Sequence, residues 1–462
     1  MEPMKSHVDF YVDLCTEVIA SDPLGLTSSK SLQRDIDFVR SRCSAEGLSF
    51  LTKVLPKLGK ALDQGLMGHI FDIPIGFKKA SKDVKYPAFL QDYFKMCFTS
   101  DGEVWPAAMP GAVKHLRQVL FLAYKLELPY SKSDETAVLQ NFVETENELL
   151  NLEFDTEGLQ ILEVASYIVK DIFDGFDPKD IIPRHGPGAV STGERLEQKW
   201  VFSRKFQKIH EYYPYYDYFV AGGARELVDR LEWYRTLQRF DKGVAKVVLV
   251  PKDSRGPRLI SCEPLEFQWV QQGLGRKIME YIERHRLTSG FINFTDQSIN
   301  RKLALDSSLS QKYATIDMKD ASDRVSVALV QKVFAKTPDL LRALLASRSD
   351  ATTLRNGEII YLEKFAPMGS ALCFPVEAII FWVIIVACMV RFFRLNKGRS
   401  LSPSDVGKDV FVYGDDIVIP TEWVHLCTPI LEYFHLKVNL SKCCVKGYFR
   451  ESCGMDAFMG EQ

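Results

Sequence analysis

The chain has 462 residues, 46% of them hydrophobic, with 58 Lys+Arg against 60 Asp+Glu and a formal net charge of −2. That much apolar material excludes global disorder and is enough for a multi-lobed enzyme, while the near-neutral balance means that any polyanion must be held by a local basic channel. The ten cysteines follow no framework spacing, which suits a reducing cytoplasm and excludes a disulfide scaffold.

Residues 1–10 already carry Glu, Lys, His and Asp, so no signal peptide is expected. No solenoid-type repeat is present. Residues 1–180 read as mostly helical, with apolar side chains at three- and four-residue spacing, as in Val113, Leu116, Leu120 and Tyr124. A turn-rich zone containing Arg184-His185-Gly186-Pro187-Gly188 follows, then the cluster Tyr212, Tyr213, Tyr215, Tyr216, Tyr218 and Phe219. Such a cluster serves either core packing or base stacking. Val247-Val248-Leu249-Val250 reads as a strand, 251–258 as a basic loop, and Leu259-Ile260 as a strand again. Residues 264–284 and 326–336 read as helices, and Tyr313-Ala314-Thr315-Ile316-Asp317 as a strand ending in a carboxylate. Asn356-Gly357 between two β-branched runs is a hairpin signal. The turn Met368-Gly369-Ser370 leads into an apolar stretch at 378–390, shorter than the ~20 residues of a membrane span and expected as a buried core helix. Residues 428–434 read as a further helix. This order predicts an α+β fold built on a small ferredoxin-like sheet with helices on one face.

The most informative residues are Tyr413-Gly414-Asp415-Asp416, set between Val410-Phe411-Val412 and Ile417-Val418-Ile419. Adjacent carboxylates in a tight turn repel, and a multivalent cation shared with a third carboxylate relieves the repulsion. Asp317, at a strand end, is the natural third, with Asp320 and Asp323 close behind. Such a set suits a two-metal clamp on the attacking and leaving oxygens of an in-line displacement, with Mg²⁺ the expected ion and Mn²⁺ an alternative. Lys246, Lys252, Arg255 and Arg258 would neutralise a triphosphate, aimed by Gly256 and Pro257. Gly369, Ser370 and Asp323 together would read a ribose 2′-OH; the glycine equally serves helix packing. Cys443, Cys444 and Cys453 near His435 match no standard zinc spacing and read as small buried side chains.

The order of these motifs, from Lys252/Arg255/Arg258 through Asp317 and Asp323, Met368-Gly369-Ser370 and Tyr413-Gly414-Asp415-Asp416 to Lys442, resembles that of viral RNA-dependent RNA polymerases. Ala321-Ser322-Asp323, Phe374 with Glu377, and Phe449-Arg450-Glu451-Ser452-Cys453-Gly454 look like the replicase catalytic (β) subunit of the single-stranded RNA bacteriophages. His185-Gly186-Pro187-Gly188 and Asp296-Gln297 with Asn300 are similar to further stretches of it. The resemblance runs from about residue 184 onward.

It implies a right-hand polymerase with a ferredoxin-like palm and largely helical fingers: 1–183 an N-terminal mostly helical region or fingers, 184–305 fingers with a basic NTP-contacting loop at 246–258, and 306–462 the palm with an interleaved fingers segment, ending without a full thumb. It implies that Asp317, Asp415 and Asp416 bind two Mg²⁺ ions while an RNA 3′-OH attacks the α-phosphate of an NTP. Asp323 and Ser370 would lie by the ribose, and Lys442 would act toward pyrophosphate, with Lys437 close by in sequence. Ser370 stands where family members often carry Asn. The family continues into a thumb beyond the Phe-Arg-Glu-Ser-Cys-Gly stretch, so a truncated thumb, an intact site and weak processivity are expected. Implied partners are an RNA template and product, NTPs, host elongation factors Tu and Ts and a ribosomal protein, with no membrane, in the cytoplasm of an infected bacterium. The alternatives are an inactive polymerase-fold RNA-binding protein and a reverse transcriptase; Asp323 and Gly414 argue against the latter.

Overall fold

The computed structural model describes residues 2–220, 224–396, 398 and 400–462. Its strands, in chain order, are β1 (Arg204–Phe206), β2 (Gln238–Phe240), β3 (Val244–Asp253), β4 (Gly256–Cys262), β5 (Tyr313–Asp317), β6 (Ala351–Thr353), β7 (Ile359–Tyr361), β8 (Phe411–Tyr413), β9 (Asp416–Pro420), β10 (Phe449–Ser452) and β11 (Met455–Phe458). Helices fill most of the rest, and the fold is α+β as the sequence predicts.

The segment 251–258, expected as a basic loop, is instead the end of a hairpin. Strand β3 continues to Asp253, β4 starts at Gly256, and only Ser254 and Arg255 lie between them. A register shift between Val250 and Asp253 absorbs Pro251, which has no N–H to give to a regular ladder. This hairpin joins the predicted β6–β7 hairpin in a sheet of order β4-β3-β6-β7.

The second sheet is antiparallel, in the order β5-β9-β8. Its apolar face, with Ile316, Val412, Ile417 and Ile419, enters the large central core. The opposite face is covered by the Ser298–Ser310 helix and by β10. Beyond β5 the 438–444 segment pairs with that strand only through two bridges, Met318 with Val438 and Thr315 with Cys444. The Asn439 N–H still makes a ladder bond of the first bridge, to the Asp317 carbonyl (2.9 Å), and its side chain donates to the Asp317 carboxylate; the helical turn Leu440–Lys442 then separates the two bridges.

The Cys373–Asn396 helix passes through the central core. It is longer than the 378–390 stretch, since Phe374, Pro375 and Val376 before it and residues 391–396 after it continue the turns. Its 24 residues would suffice for a membrane by length and composition, yet 83% of its most apolar window lies inside the protein. A helix that is apolar all round is buried. Trp382 fixes its rotation: the indole N–H donates to the Val410 carbonyl at 3.1 Å, and a Cβ on Gly407 would lie 2.4 Å from its ring.

Other helices shift at their ends. Val113, Leu116 and Leu120 share the Pro110–Leu120 helix, but Tyr124 lies beyond it in a turn. The helix at 264–284 is Leu265–Arg284. That at 326–336 is Val327–Val333, capped by the Ser326 hydroxyl, which accepts from the Leu329 N–H. That at 428–434 starts earlier, as Val424–Tyr433.

Apolar side chains between Val12 and Ala123 form a second core, completed by Cys444, Phe449 and Phe458 from the far end of the chain. Arg117 pins the β10–β11 hairpin to this core. It pairs with Asp63 and with Asp456 (2.8 Å) and lies over the Phe449 ring at 4.9 Å.

Candidate active site

Asp317 ends β5 and Asp416 begins β9, and the two are directly opposed in the antiparallel register. Opposed residues of such a pair lie about 5 Å apart at Cα and project to the same face. Tyr413 opposes Asp416 across the β8–β9 turn, leaving Gly414 and Asp415 as its two central residues. Gly414 has φ +60, and glycine at the first central position suits a tight hairpin turn. It is required twice over, because a Cβ there would sit 2.2 Å from the Phe374 ring. Phe374 stacks edge-on against Tyr413 at 5.4 Å, so the first turn of the long apolar helix clamps the aspartate turn in place.

The carboxylates share a face but do not converge. Among the described residues, no group of three His, Cys, Asp or Glu side chains forms a ready metal cage. Asp317 accepts from the Asn439 amide at 2.7 Å and pairs with Lys442 at 3.5 Å. Asp416 accepts from the Cys453 N–H at 3.2 Å and the Ser452 hydroxyl at 3.5 Å, and its carbonyl accepts from the Asn300 amide at 3.3 Å. Asp415, at the turn, remains open to water.

The electrostatics show what this arrangement lacks. Burial and then Asp415 push the Asp416 carboxyl up to about 6. Desolvation and then Asp317 raise Asp415, although water reaches its tip; protein walls on the other sides explain both facts. Glu377, buried beneath, is raised well above the carboxylate range by burial and by Asp415. Each carboxylate makes its neighbour harder to ionise, so the site carries uncompensated negative charge. An oxygen-only, open set fits Mg²⁺, which keeps waters and binds through one or two carboxylates plus substrate phosphates.

Lys442 is the lysine at this site. Burial works against its charge, but Glu451 and Asp317 outweigh it and hold the ammonium above its ordinary value. Lys437 is exposed, and only its backbone turns inward, accepting from the Lys319 N–H.

The structure separates the four basic residues of the hairpin. Lys252 is depressed by burial and then by Arg258, and Arg258 is near enough to pull Asp415 downward. Arg255 is already engaged: it forks onto the Asp253 carboxylate at 2.7 and 3.1 Å and lies over the Tyr124 ring at 5.1 Å. Lys246 lies six residues before Lys252, roughly 20 Å along the strand, beside Tyr130, Glu135 and Arg355 in a cavity of about 650 Å³. Lys60 carries no motif that would have pointed to it; it also lies over the Tyr124 ring, at 5.7 Å, and is depressed by burial and then by Arg255. On the same helical face, one turn on, the Gln64 amide donates to the Ser441 carbonyl at 2.5 Å, so this helix flanks Lys442. Crowded cations with lowered pKa values are what an anionic ligand would relieve.

Gly369 has φ +123, and a Cβ there would meet the Ser261 carbonyl at 2.2 Å; the Ser261 N–H donates to the Met368 carbonyl at 2.7 Å. This turn therefore docks on β4. Ser370 is buried, and its hydroxyl accepts from the Leu372 N–H at 3.3 Å rather than meeting Asp323. Asp323 pairs instead with the buried Lys364 at 3.3 Å, a partner 41 positions away in the sequence.

The remaining motifs are structural. Tyr212, Tyr213 and Tyr215 are buried in the core, so most of the aromatic cluster is packing. Lys199 donates to the carbonyls of Gly186 and Gly188 at 2.8 and 2.5 Å, which fixes the His-Gly-Pro-Gly turn. Cys443, Cys444 and Cys453 are free and buried, with thiols pushed up to about 12, 11 and 12 by burial. The Phe-Arg-Glu-Ser-Cys-Gly stretch forms β10 and its turn, where Cys453 (φ +50) and Gly454 (φ +73) aim an N–H at Asp416.

Comparison with known proteins places this geometry in a family. The profile described as RNA replicase, beta-chain matches residues 204–462, and the chain belongs to that family. It is 32% identical over 302 residues to the RNA-directed RNA polymerase subunit beta of Qbeta virus (strain MX1), covering 63% of this chain and 46% of that protein. It is 36% identical over 214 residues to the RNA-directed RNA polymerase beta chain of Escherichia phage MS2, covering 46% and 36%. For the subunit of Enterobacteria phage SP the figures are 34% over 315 residues, 61% and 51%. The chain thus spans about half the length, or less, of these curated relatives.

Proposed function

We propose that this chain is an RNA-directed RNA polymerase that copies a phage genome by nucleotidyl transfer from NTPs to an RNA 3′-OH. The observation that carries it is the β5–β9 register, which opposes Asp317 to Asp416 with Asp415 at the adjoining turn. In this reading the β5-β9-β8 sheet is the floor of a palm, and the β3–β4 hairpin belongs to the fingers. Asp317, Asp415 and Asp416 would hold two Mg²⁺ ions, which when bound supply charge neutralisation at the attacking and leaving oxygens. Lys252 and Arg258 meet the triphosphate from the hairpin side, and Lys60 from the helical side. Arg255 orients the hairpin through Asp253. Lys442, fully charged beside Asp317, offsets negative charge on departing pyrophosphate and has a proton to give at Nζ. Asn439, Asn300 and the Cys453 N–H hold the carboxylates in place before the substrate binds. By the same family reading the chain works with host elongation factors Tu and Ts and a ribosomal protein in the cytoplasm of an infected bacterium.

The test is primer extension on a primed RNA template with NTPs and Mg²⁺, for the unchanged chain and for Asp415→Asn. Incorporation by the unchanged chain, lost in Asp415→Asn with its thermal unfolding retained, supports the reading. RNA binding without incorporation, under Mg²⁺ or Mn²⁺ and with host factors added, would favour the binding-protein alternative. Incorporation that survives Asp415→Asn would overturn the metal assignment.

A further inference from the structure

The Lys132–Leu149 helix lies outside the matched family region, yet it holds the turn that follows Asp317. Two direct polar contacts and one relayed through Lys364 run from one stretch of this helix to successive parts of the 320–324 turn. The Asn141 amide donates to the Asp320 carboxylate at 3.3 Å. Glu148 pairs with the buried Arg324 at 2.7 Å. Between them Glu146 contacts Lys364 at 3.1 Å, and Lys364 contacts Asp323 at 3.3 Å.

The central trio is the unusual one. The Lys364 side chain is 0% exposed and its ammonium lies 3.4 Å over the Phe142 ring, from the same helix. Glu146 is fixed in turn, because its other oxygen accepts from the N–H groups of Glu363 and Lys364 at 2.6 and 3.2 Å. A buried ammonium between two carboxylates is expensive to desolvate, and such groups are more often kept for geometry than for stability. One end of this trio is the carboxylate that the polymerase reading places at the nucleotide sugar. The Ser370 hydroxyl, the other group expected there, accepts from the Leu372 N–H and makes no contact with Asp323.

We propose that Glu146 and Lys364 are positioning residues for sugar selection: Glu146 fixes Lys364, and Lys364 holds Asp323 in the acceptor orientation that meets a nucleotide 2′-hydroxyl. The assignment rests on the polymerase reading. Lys364 touches no substrate; it keeps the Asp323 oxygen that is not engaged by the ammonium turned toward the sugar. Without Lys364, Asp323 and Glu146 face each other unpaired in a buried site, and Asp323 takes a proton or swings away. Without the Glu146 charge, Lys364 is drawn onto Asp323 alone and takes up its acceptor oxygens.

The experiment compares ATP with 2′-dATP in single-nucleotide primer extension and in equilibrium binding to the protein–primed RNA complex, for the unchanged chain, Lys364→Met and Glu146→Gln. Loss of one hydrogen bond to a charged group predicts that the ATP-over-dATP preference falls roughly tenfold or more in both readouts. The fall should come mainly from ATP, with dATP use nearly constant. An equal loss for both nucleotides, or an unchanged ratio in a folded variant, would overturn the proposal, since a merely structural role lowers both together. Glu146→Gln preserves volume and decides the matter if Lys364→Met does not fold. Failure of both to fold would make the trio a folding element and overturn it as well. If the unchanged chain neither extends a primer nor binds ATP, the polymerase reading itself has failed, a result distinct from a flat ratio.

Discussion

Replacing Asp416 by Asn should make the metal-free protein more stable while abolishing its chemistry. In the folded chain the Asp416 carboxyl sits at about 6 against an ordinary 3.8, because of burial and then the Asp415 charge. That gap corresponds to roughly 3 kcal/mol at alkaline pH. Partial exposure screens part of it, and the bond from the Cys453 N–H weakens when the acceptor loses its charge, by about 1 kcal/mol. A net gain of about 1–2 kcal/mol remains for Asp416→Asn. The sign follows from proton counting. A carboxyl raised on folding binds its proton more tightly in the native state, so its ionisation destabilises the fold as pH climbs from about 4 through 6, and the full penalty stands above that. The assay is urea unfolding with chelator at pH 8, 6 and 4.5. The variant should have the higher midpoint at pH 8, and the advantage should shrink steadily on acidification. Added Mg²⁺ should raise the midpoint of the unchanged protein and close the gap, since a ligand that binds only the folded state stabilises it. A variant no more stable than its parent at pH 8 in chelator, or a gain indifferent to pH, would refute the reasoning that the carboxylates carry unneutralised charge.

Gly414→Ala puts a methyl group 2.2 Å from the Phe374 ring at a φ of +60. Backbone strain of about 1 kcal/mol and overpacking of about 1–3 kcal/mol should lower the urea midpoint, and primer extension should fall by about a hundredfold as the turn moves; a fully active, equally stable variant would refute the docking of turn on ring. Arg117→Met leaves Asp63, a carboxyl raised to about 7, without its guanidinium and frees Asp456. Destabilisation of about 3 kcal/mol at pH 8, smaller at pH 5.5 where Asp63 takes up a proton, should appear in urea unfolding, with Cys444 becoming reactive to thiol reagents as the C-terminal hairpin loosens. A pH-independent effect would show that the ion pairs do not anchor the hairpin.

The features legible in the amino-acid order are local ones. A β-branched strand, a Gly-Asp turn and a second strand place two carboxylates at a hairpin end within ten residues, and the run Tyr313–Ile316 puts Asp317 at the end of another strand. The long helix was legible because a stretch apolar on every side must be buried, and its burial in the protein core is what the structure shows. Tertiary structure decided which charges meet. Lys442 and Lys437 are equivalent by composition, and the helical turn Leu440–Lys442, which separates the two bridges, brings Lys442 to Asp317. Four basic residues in thirteen positions read as one phosphate cradle, yet the length of an extended strand carries Lys246 away and Asp253 claims Arg255. Tyr124 fitted a helical spacing but ends in a turn, with two cations over its ring. The Asp323–Lys364–Glu146 trio joins residues 177 and 41 positions apart. Periodicity and propensity act over a few residues, whereas the partner of a buried charge is fixed by desolvation: once water is excluded, each charge must find its opposite wherever the fold has brought one.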